Sequence, residues 1–233
     1  MIWQDYRKLY LNALVKYSPK FKRELQRQVD TYCRTQDFNA ISDKGLKKTI
    51  KELHVSLGVK MAQITQKDVK RSVKGIYKQL ETKSAETDLF TYTILRYLET
   101  KGLSELASDI TDTTKEQIRR FLIQSAQKNY TLPETIALLK TAGITDYRAE
   151  LIARTETGKA ANIGSMVGTA STGLVTLKEW ISAKDNRTRR IPRDQFDHLV
   201  MDGVKIPYDE KFKVPSKRGG FEFMLHPCDP MAS

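Results

Sequence analysis

Residues 44–80 read KGLKKTIKELHVSLGVKMAQITQKDVKRSVKGIYKQL and decide the fold of the first half of the chain. Apolar residues recur there every three to four positions, which is the spacing of one face of an α-helix. They are Leu46, Ile50, Leu53, Leu57, Val59, Ile64, Val69, Val73 and Ile76. We therefore predict a long amphipathic helix from about Lys44 to Leu80, and the pattern leaves open an interruption at Gly58.

Helical spacing continues on both sides of this segment. Before it, we predict a helix from Trp3 to Tyr17 that Ser18-Pro19 ends, and a second helix from Pro19 through Cys33. After it, we predict helices at about 88–100, 103–128, 132–140 and 145–169 that pack as a bundle. The last two are spaced like a helix-turn-helix. Because no basic recognition face follows the turn, two ordinary packed helices are the preferred interpretation.

The pattern changes after Gly173. Residues 174–181 form a strand-like run, and similar runs follow at 204–206 and 221–225, separated by turns rich in Pro, Gly and Asp. We therefore predict an α+β protein in two parts. A mostly helical, basic N-terminal region covers residues 1–143, and a small α+β C-terminal module covers residues 144–233.

Composition indicates a soluble protein of a reducing compartment. No apolar run reaches the roughly 18 residues that cross a bilayer, and the start of the chain lacks the pattern of a secretion signal. The two cysteines, Cys33 and Cys228, lie far apart and provide no disulfide framework. We expect a cytoplasmic origin and no membrane contact.

The positive charge is concentrated at the N-terminus. Residues 1–80 hold 18 Lys+Arg against 7 Asp+Glu, a net charge of +11 out of the +12 of the whole chain. Two lysine-rich groups, at 44–51 and 67–78, follow the three-to-four spacing of a helix face. Stripes of one sign repel themselves unless a polyanion lies nearby, so we predict sequence-independent contact with DNA phosphates, with a merely solvated helix face as the alternative. The candidate residues are Lys44, Lys47, Lys48, Lys51, Lys67, Lys70, Arg71, Lys74 and Lys78.

A series of motifs occupies the C-terminal ninety or so residues. The first is Leu151-Ile152-Ala153-Arg154-Thr155-Glu156-Thr157. It is followed on the same predicted helix by Ala160, Ala161, Asn162 and Gly164. The second is a Trp-x(4)-Asp-x-Arg-x-Arg pattern from Trp180 to Arg189, and two closing blocks stand at 207–212 and 226–230. The motif residues we single out are Arg154, Glu156, Asn162, Trp180, Asp185, Arg187, Arg189, His198, Asp202 and Gly203.

In their order and spacing, these motifs resemble the phage Mu F-like and SPP1-type head morphogenesis family. The resemblance implies a low-copy minor capsid protein of a tailed bacteriophage that acts near the portal in head assembly, DNA packaging or ejection. It implies the portal or the major capsid protein as partner, packaged double-stranded DNA as a further contact, and a location in the virion after assembly in the host cytoplasm. It does not cover residues 1–143 with comparable specificity.

One departure from the family concerns metal binding. Members usually finish with a Cys-Arg-Cys segment after the Asp-Pro block, whereas this chain ends at Pro230-Met231-Ala232-Ser233, which is expected if it is truncated or processed. His198, His226 and Cys228, with Asp185 or Asp202, are the candidate metal ligands. Since a structural zinc site wants four such ligands, we expect no resident cofactor, with zinc as the alternative.

The charged motif residues have a structural and an enzymatic interpretation. We expect Arg154 or Glu156 to tie its helix to the turn containing Asp185, Arg187 and Arg189, because buried charges need partners. The enzymatic alternatives are an ADP-ribosyltransferase-like activity that uses Glu156, and a metal-dependent nuclease in which Asp197 assists His198. The strand-borne Ser-Thr-Ser block of the transferases is absent, and we expect no catalytic residue.

Overall fold

A computed structural model describes residues 2–72, 83–100, 102–143, 145–174, 176–182, 184–186 and 188–224. Its helices are α1 (Ile2–Thr35), α2 (Lys44–Ser72), α3 (Lys83–Thr100), α4 (Leu103–Gln127), α5 (Leu132–Thr141) and α6 (Asp146–Ala170), and a short 3-10 turn, Phe38–Ala40, lies between α1 and α2. The strands are β1 (Leu177–Glu179), β2 (Lys205–Pro207), β3 (Phe212–Pro215) and β4 (Phe221–Met224). The predicted α+β class is confirmed.

Helix α1 runs through Pro19, where we predicted a break between two helices. Tyr17, Phe21 and Leu25 form one continuous buried stripe across that position. Burying three large side chains stabilises the helix by about 1.5–3 kcal/mol each, whereas an interior proline costs about 3 kcal/mol. Packing therefore outweighs the local signal, and the predicted end of the helix at Ser18-Pro19 is wrong.

Helix α2 begins at Lys44, as predicted, and is described as far as Ser72, because residues 73–80 lie outside the described part of the chain. Gly58 does not interrupt it. A Cβ added at Gly164 of α6 would overlap the Gly58 carbonyl oxygen, and one added at Gly168 would overlap that of Ala62. Small residues at these positions let the backbones of α2 and α6 come into direct contact.

Three hydrophobic clusters join the helices. The largest packs Phe21 and Leu25 of α1 on Leu53 of α2 and on the alanines of α6. A second packs the C-terminal half of α1 against α4 and α5, with Ile118 fully buried. A third joins the later part of α2 to Phe90 and Ile94 of α3 and Ile163 of α6. Helix α2 is therefore packed by apolar residues of α1, α3 and α6.

Helix α5 begins with a capping box, as its sequence Thr131-Leu132-Pro133-Glu134 leads one to expect. The Thr131 side chain accepts from the backbone N–H of Glu134, and the Glu134 carboxylate accepts from the Thr131 N–H at 2.7 Å. Such a reciprocal cap satisfies two N–H groups that the first turn leaves without partners. The predicted helices on either side of Gly143 are confirmed.

The chain divides into two compact units, Met1–Gly168 and Thr169–Ser233. Helix α6 belongs almost entirely to the first unit, since its apolar side packs on α1, α2 and α3. The division between the compact units therefore follows Gly168, whereas the predicted modules were divided after residue 143. Among the described helices, none is long and apolar enough to cross a membrane.

The second unit contains two antiparallel strand pairs. β1 pairs with β2, with Lys178 opposite Ile206, and β3 pairs with β4, with Val214 opposite Glu222. Phe212 and Val214 of β3 point into a small core. The sequence predicted β1, β2 and β4 but missed β3, because Pro215 and the polar residues before Phe212 weaken its pattern.

We predict that Gly164→Ala destabilises the first unit by about 1–3 kcal/mol, because the added methyl group overpacks the α2–α6 contact. In an open helical position the same change stabilises by about 1 kcal/mol, so the sign of the effect reports the clash. Urea unfolding followed by far-ultraviolet circular dichroism measures it. Glu150→Ala, at an exposed position of the same helix, is the control, expected within about 0.5 kcal/mol of the parent protein. A stabilising Gly164→Ala would contradict the close packing.

Candidate functional site

Several motif residues of the second unit meet around Trp180, which is 1% exposed. Its ring lies edge-on to His198 and to Phe212, with centroids 5.1 Å apart in each case. Edge-to-face contacts of aromatic rings are favourable because the positive ring edge meets the negative face. We call Trp180, Ser182, His198, Asp202 and Gly203 the motif cluster.

Hydrogen bonds through Ser182 hold the motif cluster together. The Trp180 indole N–H donates to Ser182 Oγ at 3.2 Å, and that hydroxyl donates to the backbone oxygen of His198 at 2.6 Å. The Ser182 backbone N–H donates to Asp202 Oδ1 at 2.8 Å. One serine therefore links the segment after β1 to two later motif positions, and the sequence analysis did not single it out.

Asp202 and Gly203 close the cluster from the other side. Asp202 Oδ2 lies 2.6 Å from the Lys184 ammonium, and this hydrogen bond, with that of the Ser182 N–H, holds the pKa of the carboxyl below its usual value. The Gly203 N–H donates to the Trp180 carbonyl oxygen at 2.8 Å. Gly203 has a φ of +80°, which favours glycine because a side chain is strained in that conformation.

The predicted Asp-x-Arg-x-Arg segment forms a turn. Asp185 Oδ1 accepts from the backbone N–H of Thr188 at 3.0 Å and from its hydroxyl at 3.2 Å. The Arg189 side chain is exposed, and its carbonyl oxygen accepts from the N–H of His198 at 3.0 Å. Arg187 lies outside the described residues. In this turn, Asp185 and Arg189 are thus connected to backbone and hydroxyl groups.

His198 is a neutral side chain of the small core. Burial and, to a smaller extent, the nearby Arg189 charge lower its pKa from 6.5 to about 4, against the raising effects of Asp194 and Asp197. Its Nε2 atom is buried with no hydrogen-bond partner among the described residues. Both oxygens of Asp197 accept backbone N–H groups, from Ile191, Leu199 and Val200. Asp197, the acid of the nuclease alternative, is thus bound to the backbone.

The structure does not assemble the predicted metal ligands in its described part. His226 and Cys228 lie outside the described residues. Within the described ranges, no three His, Cys, Asp or Glu side chains come together in a way that could hold a metal ion. The absence of a resident cofactor stays a prediction, with zinc as the alternative.

Glu156 lies in the first unit, between α2 and α6. Its Oε2 is 3.0 Å from His54 Nε2 and its Oε1 is 2.8 Å from the Lys159 ammonium, while His54 and Glu156 are 2% and 3% exposed. Burial alone would raise the pKa of Glu156, but the His54 hydrogen bond and the Lys159 charge outweigh it and keep the pKa below its usual value. We call His54, Glu156 and Lys159 the buried charge cluster.

The buried charge cluster corrects one expectation. Arg154 or Glu156 was expected to tie its helix to the turn containing Asp185, Arg187 and Arg189. Glu156 does not fit that role, because α6 turns it toward α2 and both of its oxygens bind partners in the first unit. The Glu156 side chain is 3% exposed, so its carboxylate has little contact with solvent. Arg154 is half-buried and its carbonyl oxygen accepts the Tyr10 hydroxyl at 3.4 Å, and Asn162 is half-buried on the same helix.

Sequence reasoning missed His54 and Lys159. His54 stands beside Leu53 in the middle of an apolar stripe, which is an unusual place for a titratable side chain, and this is the signal that could have drawn attention to it. Its partner is 102 positions away, a separation at which no helical spacing rule applies. Lys159 follows Glu156 by three positions, a spacing that permits a pair on one helix.

The predicted DNA-contact residues on α2 differ in their surroundings. Lys47 pairs with Asp43, Lys70 with Glu86 and Arg71 with Asp68. Lys74 and Lys78 lie outside the described residues. Four are exposed and have no ion pair in the described part of the chain, namely Lys44, Lys48, Lys51 and Lys67.

The exposed lysines of α2 do not all share one face of the helix. Lys51 and Lys60 are nine positions apart, which places them about 180° from each other around a helix of 3.6 residues per turn. Both are exposed, because the first half of α2 is covered on one side and its second half on the other. Lys44 and Lys51 are therefore exposed on the side of α2 opposite to Lys60, and Lys48 lies about 120° from Lys60 around the helix.

Comparison of the chain with protein-family models, with curated proteins and with solved structures finds no match. The resemblance to the head morphogenesis family stays a prediction.

We predict that Glu156→Gln destabilises the first unit by about 3–5 kcal/mol, because it leaves the Lys159 ammonium inside the bundle without its counter-ion. Chemical denaturation at neutral pH measures the change. Glu150→Gln, which alters an exposed glutamate of the same helix, is the matched control and should cost about 0.5 kcal/mol or less. Equal effects of the two variants would show that Glu156 is not held as an ion pair.

We predict a pH dependence of stability that originates at His198. Its folded pKa of about 4 lies below the ordinary 6.5, so the unfolded chain takes up the proton first, and stability falls as the pH drops from 6.5 to 4. Thermal unfolding followed by Trp180 fluorescence in a Trp3→Phe background measures this. In His198→Gln the decline over that range should be shallower. The same slope in both proteins would rule out His198 as its source.

Proposed function

We propose that this chain is a minor head protein of a tailed bacteriophage. In this function it is a non-enzymatic component of the capsid that contacts the portal or the major capsid protein and, without sequence preference, packaged double-stranded DNA. It acts in head assembly, DNA packaging or ejection, and is located in the virion. The observation that carries the proposal is the ordered series of motifs from Leu151 to Gly203, together with the contacts that the motif cluster makes in the second unit.

The surroundings of the motif residues support a structural role over a catalytic one. Trp180 and His198 pack against each other, Asp202 is bound to Lys184 and Ser182, and Gly203 closes a backbone hydrogen bond. Each contact stabilises the second unit. Motifs that serve folding are what a family of capsid components requires, since its members share a scaffold and need no common substrate.

Exposed apolar side chains support a protein partner for the second unit. Phe221 and Phe223 are two positions apart and therefore lie on the same side of β4, where they are 61% and 52% exposed. Leu177, Ile181 and Val200 are exposed as well. A unit this small leaves apolar surface uncovered, and surface of this kind marks sites of protein association. A portal or capsid subunit is the partner that the motif series implies.

The charge of the first unit supports the DNA contact. Four of the predicted lysines of α2 are exposed and have no ion pair among the described residues, so their charge is available to phosphates. Contacts of this type are made to the backbone of the nucleic acid and carry no sequence information. They suit a component that meets whatever genome is packaged.

The proposal is tested by a pull-down of the full chain with the portal and major capsid proteins of its phage, with and without nuclease. We expect retention of a capsid partner that resists nuclease. Trp180→Ala, which removes the centre of the motif cluster, should abolish that retention and leave the helical content of the first unit unchanged. Lys60→Gln, at an exposed position of the first unit, is the control and should retain the partner. Retention of DNA alone, in a salt-sensitive way, would contradict the capsid assignment.

A further inference from the structure

A second row of cations lies on α1, a helix that the DNA prediction did not include. Lys16, Lys20, Arg23 and Arg27 follow one another at intervals of four, three and four positions, so they line one side of α1. Three of them are exposed and Lys20 is half-buried. The row runs along the edge of α1 that borders α2.

Side-chain contacts place this row directly beside the first lysine group of α2. The Tyr17 hydroxyl reaches the Glu52 carbonyl oxygen at 3.2 Å, and Gln28 Nε2 donates to the Ser42 carbonyl oxygen at 3.1 Å, so the two helices run antiparallel. Arg27 borders Gly45, where an added Cβ would collide with the guanidinium. The α1 row and the row of Lys44, Lys48 and Lys51 are therefore neighbours.

Together these seven residues form what we call the α1–α2 basic face: Lys16, Lys20, Arg23, Arg27, Lys44, Lys48 and Lys51. Two carboxylates lie within it, and both are in ion pairs, Glu24 with Arg27 at 2.9 Å and Glu52 with Lys20 at 2.7 Å. The hydrogen bond from Lys20 and the charges of Lys48 and Lys16 hold the pKa of Glu52 below its usual value. Positive charge thus exceeds negative charge by five across the face.

The ammonium groups at the Lys16 end of the face lie over the ring of Tyr17. Lys16 and Lys20 lie over its ring, at 5.2 and 4.9 Å from the centroid, and the ring is buried between the two helices. A cation over an aromatic face gains about 0.5–1 kcal/mol at an exposed site. The two side chains therefore lose less freedom when they bind a phosphate.

We propose that the α1–α2 basic face, formed by both helices, is the surface that binds the phosphate backbone of double-stranded DNA. From Lys16 to Arg27 the row extends about 16 Å at 1.5 Å per residue, which matches about five nucleotide steps of one strand at 3.4 Å each. Two parallel rows can follow one stretch of backbone from both sides. The inference rests on the proposed function only in taking DNA as the polyanion.

Two cations away from the face provide an internal control. Lys60, on the later part of α2, and Arg96, on α3, are exposed, and neither has an ion pair in the described part of the chain. Helix α3 packs on the later part of α2, so both residues lie away from the α1–α2 basic face. Replacing them changes the net charge as much as replacing Lys16 and Lys48, so a comparison separates the position of a charge from its number.

The experiment measures binding of the full chain to a fluorescently labelled 30-base-pair duplex of mixed sequence, by anisotropy at several salt concentrations. We compare Lys16→Gln/Lys48→Gln with Lys60→Gln/Arg96→Gln. Removing two phosphate contacts should weaken binding about tenfold or more at 0.1 M salt and lower the slope of log K against log salt by about 2. The control pair should stay within about twofold of the parent protein. Circular dichroism shows whether each variant keeps its helices.

The outcomes separate this inference from the proposed function. A selective loss in the Lys16/Lys48 pair supports the α1–α2 basic face, whatever the pull-down shows. An equal loss in both pairs overturns it, because binding would then follow net charge alone, and so does the absence of duplex binding by the parent protein. Failure of portal retention with selective DNA binding intact would overturn the capsid assignment and leave the basic face in place.

Discussion

The first unit depends on the direct contact between α2 and α6. Gly58 and Gly164 let the two backbones touch, and the buried charge cluster of His54, Glu156 and Lys159 lies beside that contact. The Glu156 carboxylate is 3% exposed and is stable only with its partners in place. The pairing of His54 with Glu156 therefore also determines which residues of α2 and α6 face each other. With α6 fixed in this way, α1 and α3 pack on α2 and present the outer side of α1 and α2 to solvent.

The second unit uses a different means of stabilisation, because it is too small for a large apolar core. Trp180 packs edge-to-face with His198 and Phe212. Ser182 and Asp202 connect its neighbours through short hydrogen bonds. In the described part of this unit, His198 packs on Trp180, and Asp197 and Asp202 accept backbone N–H groups. Several large apolar side chains of the second unit are exposed, among them Phe221 and Phe223, whereas the exposed side of α1 and α2 is basic. The proposed protein and nucleic acid contacts correspond to this difference.

Much of the fold could be predicted from sequence, because helical periodicity in α2, α4 and α6 is a local property. The predicted break at Pro19 was wrong, since burial of Tyr17, Phe21 and Leu25 is a tertiary effect that no local rule includes. The α2 lysines were predicted to contact DNA from their spacing, but the α1 row was not, because it lies beside α2 only in the packed structure. The pairing of His54 was not predicted for the same reason, because its partner Glu156 is 102 positions away. The role of Glu156 was mistaken because its direction around α6 depends on which side faces α2.

The central claim is that the chain is a structural part of the phage head. The most direct test is quantitative mass spectrometry of purified heads that have been treated with nuclease and washed at high salt. The account predicts that the chain stays in the particles, in a copy number comparable to that of the portal and far below that of the major capsid protein. Its absence from both precursor and mature heads that retain their portal would contradict the claim.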